Sequence, residues 1–257
     1  GNTPEGKVTY TNFLDEDGGV HADLTISRLG SDSYRVVTGG ADGNRDWVTL
    51  RNYRDDSGLN ADIDIRTHDI ATIGLWGPKA VNALSNFIDS NQIDIKNFPF
   101  ATAKNLTLNL SGGKKVDVWA ARISYVGECG WEIYFNNDKK DGLALYDSLL
   151  EVGVVPVGIE TYANSRRLEK SFRLQGAELE TEYNSIEAAI QRPLVKEADF
   201  HGKAAHLSHR EEDPCAILCT MVLDDLNVSG ITRYPVGICP IIDLSLIHIS
   251  EPTRPLY

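Results

Sequence analysis

A short segment interrupted by glycines, residues 122–135, constrains the fold of this chain more than any other part. It reads Arg-Ile-Ser-Tyr-Val-Gly-Glu-Cys-Gly-Trp-Glu-Ile-Tyr-Phe, so two apolar runs flank a bend that contains Gly127 and Gly130. This pattern predicts two strands joined by a tight glycine turn. Because glycine has no Cβ, the main chain at the bend can also approach a ligand closely.

Two carboxylates and two aromatic rings lie beside this bend: Glu128, Glu132, Tyr125 and Trp131. A flat heterocycle with adjacent N–H donors is recognised by a carboxylate at its edge and an aromatic ring on its face. The alternative is an ordinary hairpin with solvated acids and a half-buried tryptophan. On the residues alone, the ordinary hairpin is the better interpretation.

The composition excludes several classes of partner. A chain of 257 residues can bury a sizeable core and form one large domain or two to three small ones. Its formal charge of −12 argues against nucleic acid or an anionic membrane as a partner, since both require a cationic face. No apolar stretch approaches the roughly 20 residues that cross a bilayer. The four cysteines are sparse and irregularly spaced, which is typical of a reducing compartment.

A group of histidines and cysteines near the end of the chain resembles a metal site only superficially. His201, His206 and His209 precede Cys215 and Cys219, but their spacing matches no standard zinc pattern. We therefore interpret them as a surface helix followed by core thiols, and we expect no metal.

The beginning of the chain predicts an antiparallel meander. Residues 9–27 form two strands around an acidic glycine turn, and residues 34–38 form a third. Asp23 lies inside the second strand, between Ala22 and Leu24, although strand propensity disfavours aspartate. Such a carboxylate either faces solvent or has a functional role, and the residue pattern leaves both interpretations open.

The middle of the chain, residues 69–155, predicts the order strand, helix, hairpin, strand, helix. This order is compatible with a split βαβ sandwich. The last helix is expected over residues 138–152 with Gly153 as its C-cap. Its expected buried positions are Leu143, Tyr146, Leu149 and Leu150.

Four segments carry a resemblance to a known family. Tyr-Val-Gly-Glu-Cys-Gly-Trp-Glu at residues 125–132 resembles the signature of the glycine-cleavage T-protein (aminomethyltransferase) family. It is closer still to the folate-binding half of dimethylglycine and sarcosine dehydrogenases. Residues 166–173 resemble the family's Leu-Arg-Leu-Glu-Lys segment, and residues 199–207 its Asp-Phe-Ile-Gly-Arg-Glu-Ala-Leu segment. Residues 184–190 resemble its Pro-Leu-Glu-Ala-Gly-Leu, with serine and alanine at the Pro and Gly positions. The resemblance covers about residues 6–223.

The resemblance implies an α+β, T-protein-like folate-binding fold with antiparallel sheets and packed helices. Residues 1–67 and 156–210 would form a discontinuous folate-binding domain, and residues 68–155 a ferredoxin-like domain. Residues 211–243 would begin a C-terminal β-barrel. Residues 244–257 resemble a translated sequencing-adapter read-through, so we expect an artefactual tail, an incomplete barrel and a longer native product.

The resemblance also implies an activity, namely one-carbon transfer to tetrahydrofolate that forms 5,10-methylenetetrahydrofolate. The donor is a small methylamine in the dehydrogenases and an aminomethyl-lipoyl carrier protein in the T-protein. FAD would be bound only if an upstream domain exists. Trp131 and Val126 favour the dehydrogenase type, while a T-protein and a non-catalytic folate-binding protein stay open as alternatives. The implied location is the bacterial cytoplasm or the mitochondrial matrix.

Transferred position by position, the resemblance assigns roles to individual residues. Glu132 would accept hydrogen bonds from the pterin's amino and ring N–H groups, Tyr125 would pack or hydrogen-bond beside the pterin, and Arg167 would contribute to the pocket. Asp23 matches the catalytic aspartate of the family's Gly-Gly-x-x-x-Asp-Leu motif. It would act as a general base or as an electrostatic partner of the attacking nitrogen. Glu128 is expected to be structural, since acids in turns usually are.

Overall fold

The computed structural model describes residues 3–137, 139–222, 241–243 and 246–250. The chain divides into two compact units, residues 1–218 and residues 219–257. All the predicted site residues lie in the first unit. The finer division expected from the sequence stays a prediction.

A three-stranded antiparallel sheet opens the first unit. Its strands, in the order β1-β2-β3, are β1 (Val8–Leu14), β2 (Val20–Arg28) and β3 (Tyr34–Thr38). The predicted meander is therefore confirmed. Ala22 and Leu24 are buried on one face of β2, so Asp23 points to the other face, opposite Asn12 of β1. Because β2 is the central strand, Asp23 does not lie at a sheet edge.

A four-stranded antiparallel sheet forms the second layer. Its strands, in the order β4-β7-β6-β5, are β4 (Ile70–Trp76), β5 (Ala103–Asn109), β6 (Lys115–Ala121) and β7 (Gly130–Asn136). The helices of the first unit are α1 (Gly43–Asp56), α2 (Ala80–Leu84), α3 (Lys139–Glu151), α4 (Arg167–Glu169) and α5 (Lys203–His209). The expected order of elements, and the α+β class with antiparallel sheets and packed helices, are confirmed.

The alternation of side chains along β7 determines which residues lie between the two sheets. Trp131, Ile133 and Phe135 belong to the main core, which also contains residues of α2 and α3. Glu132 and Tyr134 therefore point to the opposite face, where Tyr134 packs in a second cluster with Val8 of β1. Strand register places Val8 on the same face of the first sheet as Asp23. The face that carries Asp23 and the face that carries Glu132 are thus turned toward each other.

The glycine bend differs from the expected tight turn. Strand β6 ends at Ala121 and β7 begins at Gly130, so residues 122–129 form a longer loop between them. At the start of this loop Arg122 is buried and donates hydrogen bonds to the carbonyl oxygens of Ile93 and Phe98, at 3.2 and 2.6 Å. Tyr125 therefore lies within the loop rather than at the end of a strand.

The face of α3 that packs on the core is not the predicted one. Leu145 and Leu149 are buried, whereas Leu143, Tyr146 and Leu150 are 61%, 42% and 39% exposed. The prediction is right for Leu149 and wrong for these three, because the helix carries two apolar stripes and the core is contacted by the Leu145–Leu149 pair. The backbone of Gly153 has φ 85°, as expected for the C-cap glycine.

The predicted core thiols are also wrong. Cys215 and Cys219 are both exposed. They lie in a segment, residues 211–222, that forms neither strand nor helix and so has no sheet or helix face to bury them. None of the described helices is long and apolar enough to cross a membrane.

In the second unit, strands β8 (Ile241–Asp243) and β9 (Leu246–Ser250) pair antiparallel. Residues 223–240 of the expected barrel lie outside the described residues. So do residues 244–245 and 251–257 of the expected artefactual tail.

Candidate functional site

Asp23 is held by a hydrogen bond that crosses from the neighbouring strand. The Tyr10 hydroxyl on β1 donates to Asp23 Oδ2 at 3.2 Å. Burial raises the pKa of the Asp23 carboxyl, the Tyr10 hydrogen bond opposes this change, and the charges of Asp42 and Asp46 add to it. A carboxyl group with a raised pKa is nearer to the pH at which it can accept a proton from a reacting group.

Glu132 has a corresponding arrangement on the facing sheet. The Tyr134 hydroxyl, two residues along the same strand, donates to Glu132 Oε2. Burial raises the pKa of Glu132, and the bond from Tyr134 lowers it. The rings of Trp119 and Tyr134 meet edge to face with centroids 5.1 Å apart. Glu132 is therefore a fixed hydrogen-bond acceptor in a mainly aromatic environment.

Tyr125 contributes its ring rather than its hydroxyl. The hydroxyl donates to the main-chain oxygen of Arg173 at 2.6 Å, so the fold already uses it. The ring stacks on Phe172 with centroids 6.1 Å apart and an interplanar angle of 15°. Burial raises the pKa of Tyr125 to about 12; the Arg167 guanidinium opposes this rise and the charge of Asp23 supports it. Asp23 and Tyr125 thus belong to one electrostatic environment.

Arg167 is engaged mainly in holding the fold. It is 4% exposed, its Nη1 pairs with Glu178 Oε2 at 2.8 Å, and its Nε donates to the Ala163 oxygen at 2.6 Å. Nη1 also donates to the oxygen of Phe172, whose ring stacks on Tyr125, at 3.1 Å. Arg167 therefore borders the site and positions the segment that supports Tyr125.

Trp76 and Tyr162 complete the aromatic wall of the site, and neither of them was predicted from the sequence. Trp76, at the end of β4, stacks on Tyr162 with centroids 5.3 Å apart and an interplanar angle of 17°. Tyr162 also contacts Tyr125 at 5.5 Å, and burial, followed by the charge of Glu132, raises its pKa. Tyr162 lies in a π-helix, Glu160–Arg166, a rare conformation that is frequent at functional sites. No pattern in the sequence signals that helix.

The tyrosine partners of the two carboxylates were also missed, although signals for them exist. Tyr134 follows Glu132 by two residues in a strand, so the two side chains share one face. Tyr10 is brought to Asp23 by the register of β1 and β2, which the intervening glycine turn restricts.

One ring contact and two electrostatic interactions link Asp23, Tyr125 and Glu132 through Tyr162. The charge of Glu132 reaches Tyr162, Tyr162 contacts Tyr125, and the charge of Asp23 reaches Tyr125. Two buried donors on the same face of the first sheet, Asn12 Nδ2 and Arg35 Nη1, have no hydrogen-bond partner. Two fixed acceptors, two unused donors and several ring faces suit a flat ligand that carries both donors and acceptors.

Two cavities border this cluster. One, of about 880 Å³, is lined in part by Tyr134, and the other, of about 750 Å³, in part by Tyr10. The four predicted site residues line neither of these two cavities. Among the described residues, no group of His, Cys, Asp and Glu could hold a metal ion.

Comparisons with known proteins agree with this architecture. The GCVT N-terminal domain family matches residues 1–197. The chain is 32% identical over 235 residues to mitochondrial dimethylglycine dehydrogenase of Homo sapiens, a match that covers 87% of this chain and 26% of that protein. It is 31% identical over 243 residues to an aminomethyltransferase of Symbiobacterium thermophilum, with 91% of this chain and 62% of that protein covered.

A solved structure, the glycine cleavage system aminomethyltransferase T of Bartonella henselae, superposes with a TM-score of 0.67 at 22% sequence identity. The match covers 83% of this chain and 55% of that one, and it supports the fold. The chain therefore spans about a quarter of the dehydrogenase and less than two thirds of these aminomethyltransferases.

Proposed function

The chain belongs to the GCVT N-terminal domain family, and we propose that it binds tetrahydrofolate and transfers a one-carbon unit to it. We place it in an enzyme of the dimethylglycine or sarcosine dehydrogenase type, with 5,10-methylenetetrahydrofolate as the product. The observation that carries this proposal is the pair of partly buried carboxylates, Asp23 and Glu132, on the facing surfaces of two sheets. Each is bound by its own tyrosine.

The residues of the cluster fit a reduced pterin. Its amino and ring N–H groups would donate to Glu132, whose acceptor position Tyr134 fixes. The unused donor of Asn12 would meet an acceptor on the ligand. The flat ring system would pack against the aromatic wall of Trp76, Tyr125 and Tyr162.

Catalytic assistance in this proposal comes from Asp23. Tetrahydrofolate supplies two nitrogens that attack the one-carbon unit in turn, while the bonds from that carbon to its donor break and the donor leaves as an amine or, from formaldehyde, as water. Each attack develops positive charge on the nitrogen and releases a proton. Asp23 accepts that proton or balances that charge, while Tyr10 fixes the direction of its carboxylate. A positioned acid–base group contributes about 10²–10⁴-fold in rate. Arg167 supports the site indirectly by holding the segment that carries Phe172.

Calorimetric titration of the chain with tetrahydrofolate tests the proposal. We expect saturable binding with a stoichiometry of one. Absence of heat at high micromolar ligand, confirmed by equilibrium dialysis with a folded sample, would refute it.

A second candidate is an aminomethyltransferase that takes its one-carbon unit from an aminomethyl-lipoyl carrier protein. The similarity to bacterial aminomethyltransferases, of which the chain spans the larger share, favours it. Supplying either the lipoyl carrier or a methylamine-derived one-carbon unit separates the two candidates. Binding without transfer from either donor would indicate a non-catalytic folate-binding protein.

The identity of the one-carbon donor also bears on the cofactor and on the location in the cell. FAD belongs to the proposal only as the cofactor of another part of a dehydrogenase-type protein. The proposed location is the mitochondrial matrix or the bacterial cytoplasm, since the human relative is named as mitochondrial and other relatives are bacterial.

A further inference from the structure

We propose that Arg35 binds the negatively charged glutamate tail of the folate, in the open groove on the outer part of the second sheet. This inference rests on the proposed function, since it names the residue that receives one part of the same ligand. The groove is the cavity of about 880 Å³ whose lining includes Arg35, Asn105, Lys115, Asp117, Trp119 and Tyr134.

The Arg35 guanidinium is held over aromatic rings and lacks a partner for part of its donor set. Its Cζ lies 4.3 Å from the centroid of the Trp119 ring and 5.7 Å from that of Tyr134. Its Nη1 is buried without a hydrogen-bond partner, and within the described part of the chain Arg35 makes no ion pair with a carboxylate. A guanidinium oriented by ring faces is well suited to bidentate binding of a carboxylate.

The groove adjoins the tyrosine that holds Glu132. Tyr134 donates to Glu132 on one side and lines the groove on the other. On the paired strands β6 and β7, Trp119 lies opposite Tyr134 and Ala121 lies opposite Glu132. Moving along β7 from Glu132 to Tyr134 therefore runs beside β6 from Ala121 to Trp119. Trp119 and Tyr134, the two rings under Arg35, therefore come next on this face beyond the Ala121–Glu132 pair. In the proposal, the tail of a ligand held at Glu132 extends in this direction.

Beyond Arg35 the groove is long enough to hold the remainder of the glutamate tail. Lys115 lies four residues beyond Trp119 on β6, which corresponds to about 13 Å at the rise of a strand. The carboxylate of Asp117, between them, accepts a hydrogen bond from Thr107 Oγ1 at 2.6 Å. Although the chain carries a formal charge of −12, Arg35 and Lys115 make this groove a place where an anion can bind.

A comparison of two ligands and three proteins tests the assignment. The ligands are tetrahydrofolate and its diamide, in which both tail carboxylates are replaced by neutral amides of nearly the same size. The proteins are the parent chain, Arg35→Gln and Arg51→Gln, with affinities measured by calorimetry. Arg51 is a matched control, because its guanidinium also lies over a tryptophan, Trp47, at 4.7 Å, but on α1.

We expect the parent and Arg51→Gln to bind tetrahydrofolate about tenfold or more tightly than the diamide, as for the loss of a charge-assisted hydrogen bond. In Arg35→Gln both ligands should bind with the affinity that the parent has for the diamide. Arg35→Lys should restore part of the difference, which a purely structural role of Arg35 would not predict.

The possible failures are distinguishable. If Arg35→Gln keeps the full preference for the charged tail, or if the folded parent binds both ligands equally, the assignment of Arg35 is wrong and the proposed function stands. If the folded parent binds neither ligand, the proposed function itself is refuted. Thermal unfolding of each variant shows that a loss of binding does not reflect a loss of fold.

Discussion

Replacing Glu132 by glutamine removes one negative charge from the centre of the proposed site and leaves the shape of the side chain unchanged. Glutamine retains one oxygen, which can still accept from Tyr134. Its other terminal atom becomes an NH₂ group. The carboxylate would accept a second hydrogen bond from an N–H group of the pterin. In the variant the glutamine NH₂ group faces that N–H group, and two donors cannot form a hydrogen bond.

The expected loss of folate affinity follows from the one hydrogen bond that is lost and from the pterin donor that is left unsatisfied. A hydrogen bond to a charged group contributes about 1.5–3 kcal/mol, and a donor left unsatisfied in a buried site costs a further amount of about 1–3 kcal/mol. A combined loss of about 3 kcal/mol or more weakens binding by about 100-fold or more. The Glu132→Ala variant, which has no acceptor at all, should show no measurable binding.

The same substitution should change how the stability of the ligand-free protein depends on pH. Burial raises the pKa of Glu132 above its usual value of 4.5. A carboxyl group with a higher pKa in the folded than in the unfolded state favours folding at pH values below the unfolded pKa, and this contribution is lost as the pH rises through the folded pKa. Glutamine does not titrate. The stability of Glu132→Gln relative to the parent should therefore be greater at pH 7 than at pH 4.

Calorimetry with tetrahydrofolate and urea unfolding at both pH values measure these two effects. Glu151→Gln is the control, because Glu151 is exposed and accepts a hydrogen bond from Ser111 at 2.6 Å. Folate affinity within threefold of the parent in Glu132→Gln would refute the role of Glu132 in binding. A stability of the variant relative to the parent that is not greater at pH 7 than at pH 4 would show that the fold does not raise the pKa of Glu132.

Three further substitutions separate the roles of the neighbouring residues. Asp23→Asn should bind folate normally but lose about 10²–10⁴-fold in transfer rate, measured by formation of 5,10-methylenetetrahydrofolate. Tyr10→Phe removes a hydrogen bond that lowers the pKa of Asp23, so the acidic limb of the pH–rate profile should move to higher pH. Arg167→Met breaks the buried ion pair with Glu178 and should reduce the free energy of unfolding by about 3–5 kcal/mol in urea titrations.

Each of these has a result that contradicts it. Unchanged turnover in Asp23→Asn would remove Asp23 from the mechanism, and an unmoved acidic limb in Tyr10→Phe would show that another group controls it. Undiminished stability in Arg167→Met would mean that the ion pair only offsets its own desolvation.

The strands could be predicted because their signals are local, whereas the choice of Asp23 and Glu132 as site residues comes from the family resemblance. Period-two alternation fixes which residues of β2 and β7 share a face, so Asp23 and Glu132 could be assigned to particular faces before their partners were known. The position of an aspartate inside a strand is a further local signal, but the residue pattern alone also allows a side chain that faces solvent.

The roles of Tyr125 and Arg167 depend on contacts that no local pattern encodes. The hydroxyl of Tyr125 meets the main chain of Arg173, 48 residues away in sequence. The position of Tyr162 depends on a π-helix, in which the backbone bonds shift by one residue without a distinctive composition. The packing phase of α3 was missed for a related reason, because two apolar stripes compete and tertiary contacts decide between them.

The separation of the two carboxylates onto different sheets has a physical consequence for the proposed reaction. Two carboxyl groups that share one site titrate as a pair, and one of them is forced to stay protonated. Here burial and Tyr134 determine the pKa of Glu132, whereas burial, Tyr10 and the acids of the α1 region determine that of Asp23. In the proposal, this separation lets Glu132 accept from the pterin edge and Asp23 exchange the proton without the two carboxyl groups competing for one proton. The two sheets of the fold are what make that division of roles possible.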